Sequence, residues 1–415
     1  MPAELLEIVV DGVGVPTIFE QDKRLPLVSM QLIFRDSGSL SEIKSGLAKL
    51  SSNLLNEGTK EMGSVEFSTQ LDSRAVSLHA SAGAETFVIS LSSLKSEWSF
   101  ALTMLKKLID DPNYTDEAFE KVVAQSVGSL TQKQSDFDFV ASNGLKSLLF
   151  EGTAREHPFS GTVESIKSIT LEDTKKHILE HLSKENLIVV AGGDVNTNEI
   201  KNMVSDIVKL FDIVTVPAIK YTSSRKKPKE QYLEAKTEQA YIYFGAPYHV
   251  SYDSDDAYLG KVASFVLGSS GFGSRLMEEI RVKRGLAYSA YANLSSTRTS
   301  SYFSGHLQTK LDNANQAKLV VGELLDIFVQ KGITHEELQS AKQFLLGSEP
   351  LRTETLQQRL GRAFNEYYAG KKLGYNSIEL EKISLIDLDQ INNFIHQREE
   401  IAKLSFYIVS DSMTK

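Results

Sequence analysis

Segments from the first half of this 415-residue chain recur in the second half, in the same order and about 215 residues apart. That spacing is far longer than any solenoid period, so it marks a duplicated domain rather than a repeat array. Leu102–Ile109 followed by Thr115–Phe119 resembles Val320–Ile327 followed by Thr334–Leu338. Each pair reads as an amphipathic helix, a short break, and a threonine placed to cap the next helix, with Thr334 and Glu337 in capping-box register. Ile169–Asp173 recurs as Ile383–Asp387, read as a helix start, and the β-rich runs Leu187–Ala191 and Leu404–Val409 close the two halves. A chain patterned this way folds as two copies of one unit.

Between the copies lies Tyr221–Glu230, polar, basic and proline-containing, which reads as a solvated linker between domains at 1–220 and 231–415. Alternating strands such as Leu27–Phe34 and Thr86–Ser92 sit among helices of 3.6-residue apolar period, without a regular βαβ rhythm. That mixture predicts an α+β layer structure, each domain a mixed, mainly antiparallel sheet backed by helices. A hydrophobic fraction of 41% and a charged fraction of 24% are those of a globular protein. The net charge of −9 argues against nucleic acid as a partner. The absence of cysteine removes disulfides, thiolate catalysis and cysteine metal sites together. No run approaches the roughly 20 apolar residues that span a bilayer, so no membrane association is expected. Met1–Glu7 has neither a basic n-region nor an apolar core, which reads as a cytoplasmic chain, or a periplasmic one if a leader has been removed.

Two stretches carry the functional information. Gly271-Phe-Gly-Ser-Arg-Leu-Met-Glu-Glu-Ile-Arg-Val-Lys-Arg-Gly-Leu-Ala-Tyr288 and Gly46-Leu-Ala-Lys-Leu-Ser-Ser-Asn-Leu-Leu-Asn-Glu-Gly-Thr59 resemble two landmarks of the pitrilysin family of zinc peptidases, with His157-Pro-Phe159 a third. The resemblance covers nearly the whole chain and implies two homologous domains closing toward each other like a clamshell. In that family the first-half helix reads Gly-Leu-Ala-His-x-x-Glu-His and holds zinc between two imidazoles one turn apart, with a carboxylate as general base. Here Lys49 and Asn53 stand at the histidine positions and Ser52 at the glutamate. An ammonium has no lone pair for a metal, an amide carbonyl is a poor zinc ligand, and a serine cannot act as the base. The family's third ligand would fall near Ser129, yet no Glu or His occurs from Lys121 to Phe150. The helix itself keeps Leu47, Leu50, Leu54 and Leu55 on a packing period. The expectation is therefore a packed helix with no metal in this chain.

The second stretch keeps its functional pair. Arg281 and Tyr288, seven residues apart, match the guanidinium and phenol with which the family's second half holds the peptide backbone and stabilises charge on the attacked carbonyl. The competing reading makes Arg281 a surface ion-pair partner of Glu278 or Glu279 and Tyr288 the start of a buried strand. Gly268–Gly273 lacks the Gly-Lys-Ser/Thr ending of a phosphate loop and reads as a plain helix N-terminus, with a flexible loop beside the substrate cleft as the second reading. His177-Ile-Leu-Glu180-His181 matches an inverted zinc signature. Aligning the halves sets His177 against Ile391 and His181 against Ile395, which makes them packing positions. The resemblance thus implies a zinc-less subunit that lends Arg281 and Tyr288 to a zinc-bearing partner acting on peptides. The alternatives are a catalytically inert homodimeric scaffold or peptide-binding protein and, more remotely, a hydrolase using His177, Glu180 and His181.

Overall fold

The computed structural model describes residues 2–411. The chain divides into two compact units: Met1–Gln132 with Pro158–Ile219 and Arg352–Tyr368, and Lys133–His157 with Lys220–Leu351 and Ala369–Lys415. The first contains strands β1 (Glu4–Val10), β2 (Val13–Gln21), β3 (Leu27–Arg35), β4 (Ser77–Ala82), β5 (Thr86–Leu94) and β6 (Leu187–Gly193). The second contains β7 (Glu230–Glu234), β8 (Gln239–Pro247), β9 (Ala287–Ser296), β10 (Ser301–Lys310) and β11 (Ser405–Ser410). Hydrogen bonding orders them β1-β2-β6-β3-β5-β4 and β7-β11-β8-β10-β9.

These are one topology used twice. Removing β1 superposes β2-β6-β3-β5-β4 on β7-β11-β8-β10-β9. In each sheet the first pair is parallel and the others antiparallel. The α+β fold of two homologous mixed sheets backed by helices is thereby realised. In β5 the alternation holds residue by residue, with Phe87, Ile89 and Leu91 buried under helices and Thr86, Val88 and Ser90 on the other face. β6 and β11 do not alternate: every residue of both is buried. Strands buried along their whole length need cover on both faces.

That second cover comes from an exchange of helices, and here the structure departs from a linear division near residue 220. Helix Phe137–Leu149, encoded in the first half, packs on β8 and β11 through Ala141, Leu145 and Leu149 against Tyr407 and Val409. Helix Leu356–Tyr368, its counterpart from the second half, packs on β2 and β6. Both rest on sheet glycines that let the helix approach closely. A Cβ on Gly192 would lie 3.0 Å from Leu360 and 3.2 Å from Leu356, and one on Gly245 would lie 2.8 Å from Leu149. The basic linker is pinned rather than loose: Arg225 and Lys229 share Glu151 at 3.1 and 3.2 Å, and Glu230 already belongs to β7. No helix among the described residues is long and apolar enough to cross a membrane.

Candidate functional site

Helix Leu47–Leu55 preserves its frame because each frame residue has a structural task. Leu47, Leu50 and Leu54 pack with Ala118, Val122 and Leu130 of helix Asp116–Lys133. The Glu42 carboxylate accepts from the backbone N–H of Gly46 (2.7 Å) and Ala48 (2.8 Å), supplying the N-terminal cap that Gly46 cannot. At the far end Asn56 donates to the Ala80 carbonyl at 2.9 Å and accepts from its N–H at 2.8 Å, tying the helix to the outward side of edge strand β4. Glu57 pairs with Lys121 at 2.7 Å. Ser45 donates to the Pro158 carbonyl at 3.0 Å, so the His157-Pro-Phe159 turn closes over the start of the helix.

The positions where the resemblance would put zinc ligands carry different chemistry. Ser52 is fully buried, and its hydroxyl is spent on the Lys49 carbonyl at 2.8 Å. Lys49 and Asn53 are half-buried. His79 on β4 has its pKa lowered by partial burial and then by the Lys49 ammonium, so that face of the helix presents positive charge. Ser129 lies exposed on its helix. A committed hydroxyl, an amide and an ammonium do not suit a zinc ion.

The second stretch is built differently. Ser274 caps the short helix Arg275–Met277 by accepting from the Met277 N–H, and Arg275 forks onto Glu337 at 2.5 and 2.6 Å. Leu276 and Ile280 are fully buried, which anchors the segment from beneath. Residues Glu278–Lys283 then wind as a π-helical turn, a feature that concentrates at functional sites. The turn ends where Leu286 N–H reaches back to the Ile280 carbonyl at 2.8 Å. β9 follows as an edge strand, and it is bulged. Leu307 pairs with Ala290 and Thr309 with Ala287, so Tyr288 and Ser289 together oppose Gln308. Such a bulge re-aims side chains. Tyr288 accordingly stands 80% exposed instead of starting a buried strand.

Arg281 is not an ion-pair partner of its neighbours. Glu279 is taken by Lys283 at 2.5 Å and Arg284 at 3.8 Å, and no carboxylate lies within ion-pair distance of Arg281 among the described residues. Its guanidinium lies against two rings, 4.4 Å from the centroid of Tyr288 and 4.8 Å from that of Phe272. The spacing of Arg281 and Tyr288 was readable in the sequence. Phe272 was not singled out there, and its one signal is an apolar ring between two glycines.

His177, Glu180 and His181 are not gathered into a metal site. Glu180 points to solvent and lies 3.7 Å from Lys176. The His177 and His181 rings stack at 4.3 Å, and His177 is 3% exposed. Among the described residues no three His, Cys, Asp or Glu side chains are placed to hold a metal. The alignment of the halves also needs correction. Thr170 caps helix Leu171–His181 and Asp387 caps helix Leu388–His396, whereas Ser384 lies inside the preceding helix, Tyr375–Leu385. Matching cap to cap sets His177 against Phe394 and His181 against Arg398, not against Ile391 and Ile395. Phe394 is itself buried, so His177 remains a packing position.

Comparison with known proteins follows the same lines. A family profile described as "Peptidase M16 inactive domain" matches residues 168–345. The chain is 41% identical over 398 residues to the "Non-peptidase homolog YmxG" of Helicobacter pylori, covering 96% of this chain and 92% of that one. It is 25% identical over 177 residues to the "Mitochondrial-processing peptidase subunit beta" of Dictyostelium discoideum, 42% of this chain and 38% of that one. The crystal structure of a peptidase M16 inactive domain from Pseudomonas fluorescens shares the fold with a TM-score of 0.91 at 19% identity, covering 100% of this chain and 99% of the other. Duplicated topology, motif frame and identity along nearly the whole length agree, and the chain belongs to the peptidase M16 family.

Proposed function

We propose that this chain is a non-catalytic, zinc-less subunit that works with a zinc-bearing M16 chain and holds the peptide substrate through Arg281 and Tyr288. The observation carrying this reading is the state of Arg281: a permanently charged fork of donors, held against two rings and claimed by no carboxylate among the described residues. Its N–H groups are available to a peptide carbonyl, and the exposed Tyr288 phenol can donate to an oxyanion as it forms. Lys49, Ser52 and Asn53 support the other half of the reading, because they leave the chain without the water-activating ion that a partner must supply. One relative's printed name, a non-peptidase homologue, is in line with the zinc-less half of the reading, and another's, a processing-peptidase subunit, with work in an assembly.

The test is the complex purified from native cells through a tag on this chain. It is expected to contain a second chain bearing His-x-x-Glu-His and to hydrolyse unfolded peptides. Arg281→Ala is expected to lower turnover about 100-fold, the usual effect of removing an oxyanion donor, while the complex stays associated on size exclusion. Tyr288→Phe is expected to act in the same direction. Normal turnover in both variants would overturn the proposal, and recovery of a homodimer alone would favour the inert scaffold.

A further inference from the structure

We infer that Phe272 is a positioning residue for Arg281 and the wall that selects an apolar peptide side chain beside the carbonyl Arg281 binds. This rests on the reading of Arg281 as a peptide donor and adds a residue and a preference to it. Gly271 and Gly273, at φ +69° and +88°, occupy left-handed backbone that a side chain would strain, with open space around both. Between them the chain turns Phe272 outward, 72% exposed, while the Gly271 carbonyl accepts from the Ser274 N–H at 3.1 Å and its hydroxyl at 2.7 Å. The ring therefore contributes nothing to the core. What it meets is the guanidinium of Arg281, with its centroid 4.8 Å away.

The consequence is geometric. Tyr288 lies over the same guanidinium at 4.4 Å, so the cation stands against two rings, and both contacts are of the attractive cation–π kind. With two rings against the cation, the N–H donors turned away from them are what an oxygen ligand can reach. Holding a long side chain this way removes ordering that a ligand would otherwise have to impose. An oxygen arriving at those donors comes beside apolar ring surface. A main-chain carbonyl of an extended peptide can reach these donors with an apolar side chain beside it against the exposed Phe272 ring.

Two measurements on the full chain test the inference. One follows the Arg281 Nε–H resonance in ¹⁵N-labelled protein. In the parent it is expected to be shifted by the rings and slow to exchange; in Phe272→Ala it should move toward a free arginine, and in Phe272→Trp it should stay shifted. The other is fluorescence polarisation with a labelled unfolded decapeptide containing one Phe, beside the same peptide with Ser in its place. Phe272→Ala is expected to weaken the Phe peptide about tenfold and erase its advantage over the Ser peptide, while Phe272→Trp keeps both. Circular dichroism melting is expected to be unchanged, since the ring is outside the core. If Arg281→Ala binds like the parent, the peptide-donor reading fails. If Arg281→Ala loses binding while Phe272→Ala keeps its affinity and an unmoved resonance, the inference about Phe272 fails alone.

Discussion

Replacing Arg359 with methionine is expected to destabilise the chain by about 3 kcal/mol in urea denaturation. Arg359 is the polar lock of the exchanged helix Leu356–Tyr368. Its guanidinium donates to Glu20 at 2.7 Å and Asp22 at 2.7 Å, and to the carbonyls of Thr353 (3.2 Å) and Glu354 (3.0 Å). The two carboxylates differ in what they would lose. Asp22 is held well below the ordinary carboxylate range, first by Arg24 and further by Arg359, and it keeps Arg24 in the variant. Glu20 has a side chain only 5% exposed, and Arg359 is its one ion-pair partner among the described residues. Removing one member of such a pair costs about 3–5 kcal/mol because a charge is stranded. An open cleft of about 540 Å³, lined in part by Pro2, Glu20, Asp22 and Arg359, admits water and places the cost at the lower end. Adding Glu20→Gln removes the stranded charge and is expected to recover more than about 1 kcal/mol of the loss. A loss below about 1 kcal/mol in Arg359→Met would mean that apolar packing on Gly192 alone holds the helix.

Acid sensitivity is expected to change as much when His177 becomes phenylalanine, the residue its repeat partner position already carries. The folded-state pKa of His177 is pushed down to about 3, chiefly by burial and then by the neighbouring His181. Its Nε2 is buried without a hydrogen-bond partner among the described residues. In the unfolded chain a histidine titrates near 6.5. Between those values the unfolded state takes up a proton that the folded state refuses. The stability from neutral His177 is therefore fully present above about pH 6.5 and is lost as pH falls toward the folded pKa, by up to about 1.4 kcal/mol per pH unit. Going from pH 7 to pH 4, the parent is expected to lose about 3 kcal/mol more than His177→Phe. A constant packing cost of the larger ring would shift the variant equally at both pH values and cancel in that difference. Parallel stability curves from pH 7 to 4 would show that His177 is not held neutral.

How legible this structure was depends on the length scale of the signal. Local chemistry read well: the Thr334–Glu337 capping box forms, Thr170 caps its helix, and the alternation of β5 predicts its buried face. The exchange of helices could not be read, because a 3.6-residue apolar period says that a helix has a buried face, not which sheet covers it. The three-residue error in the repeat register has a similar origin. Ile383 and Ile386 both precede a plausible cap, and only the cap geometry at Asp387 decides between them. At the site, spacing identified Arg281 and Tyr288, but their state depended on competition. Lys283 stands one turn from Glu279 and captures it, leaving Arg281 to the rings of Phe272 and Tyr288. Likewise the bulge that exposes Tyr288 is a property of the pairing of β9 with β10, which neither strand encodes alone.

A chain that supplies peptide contacts and leaves the metal to a partner should hold no zinc of its own. The measurement is the zinc content per chain of the tag-free protein, purified without chelator and dialysed before elemental analysis. Zinc is expected well below one ion per chain, unaffected by His177→Ala combined with His181→Ala. One tightly held ion per chain, lost in that double variant, would contradict it and make His177, Glu180 and His181 the site to explain.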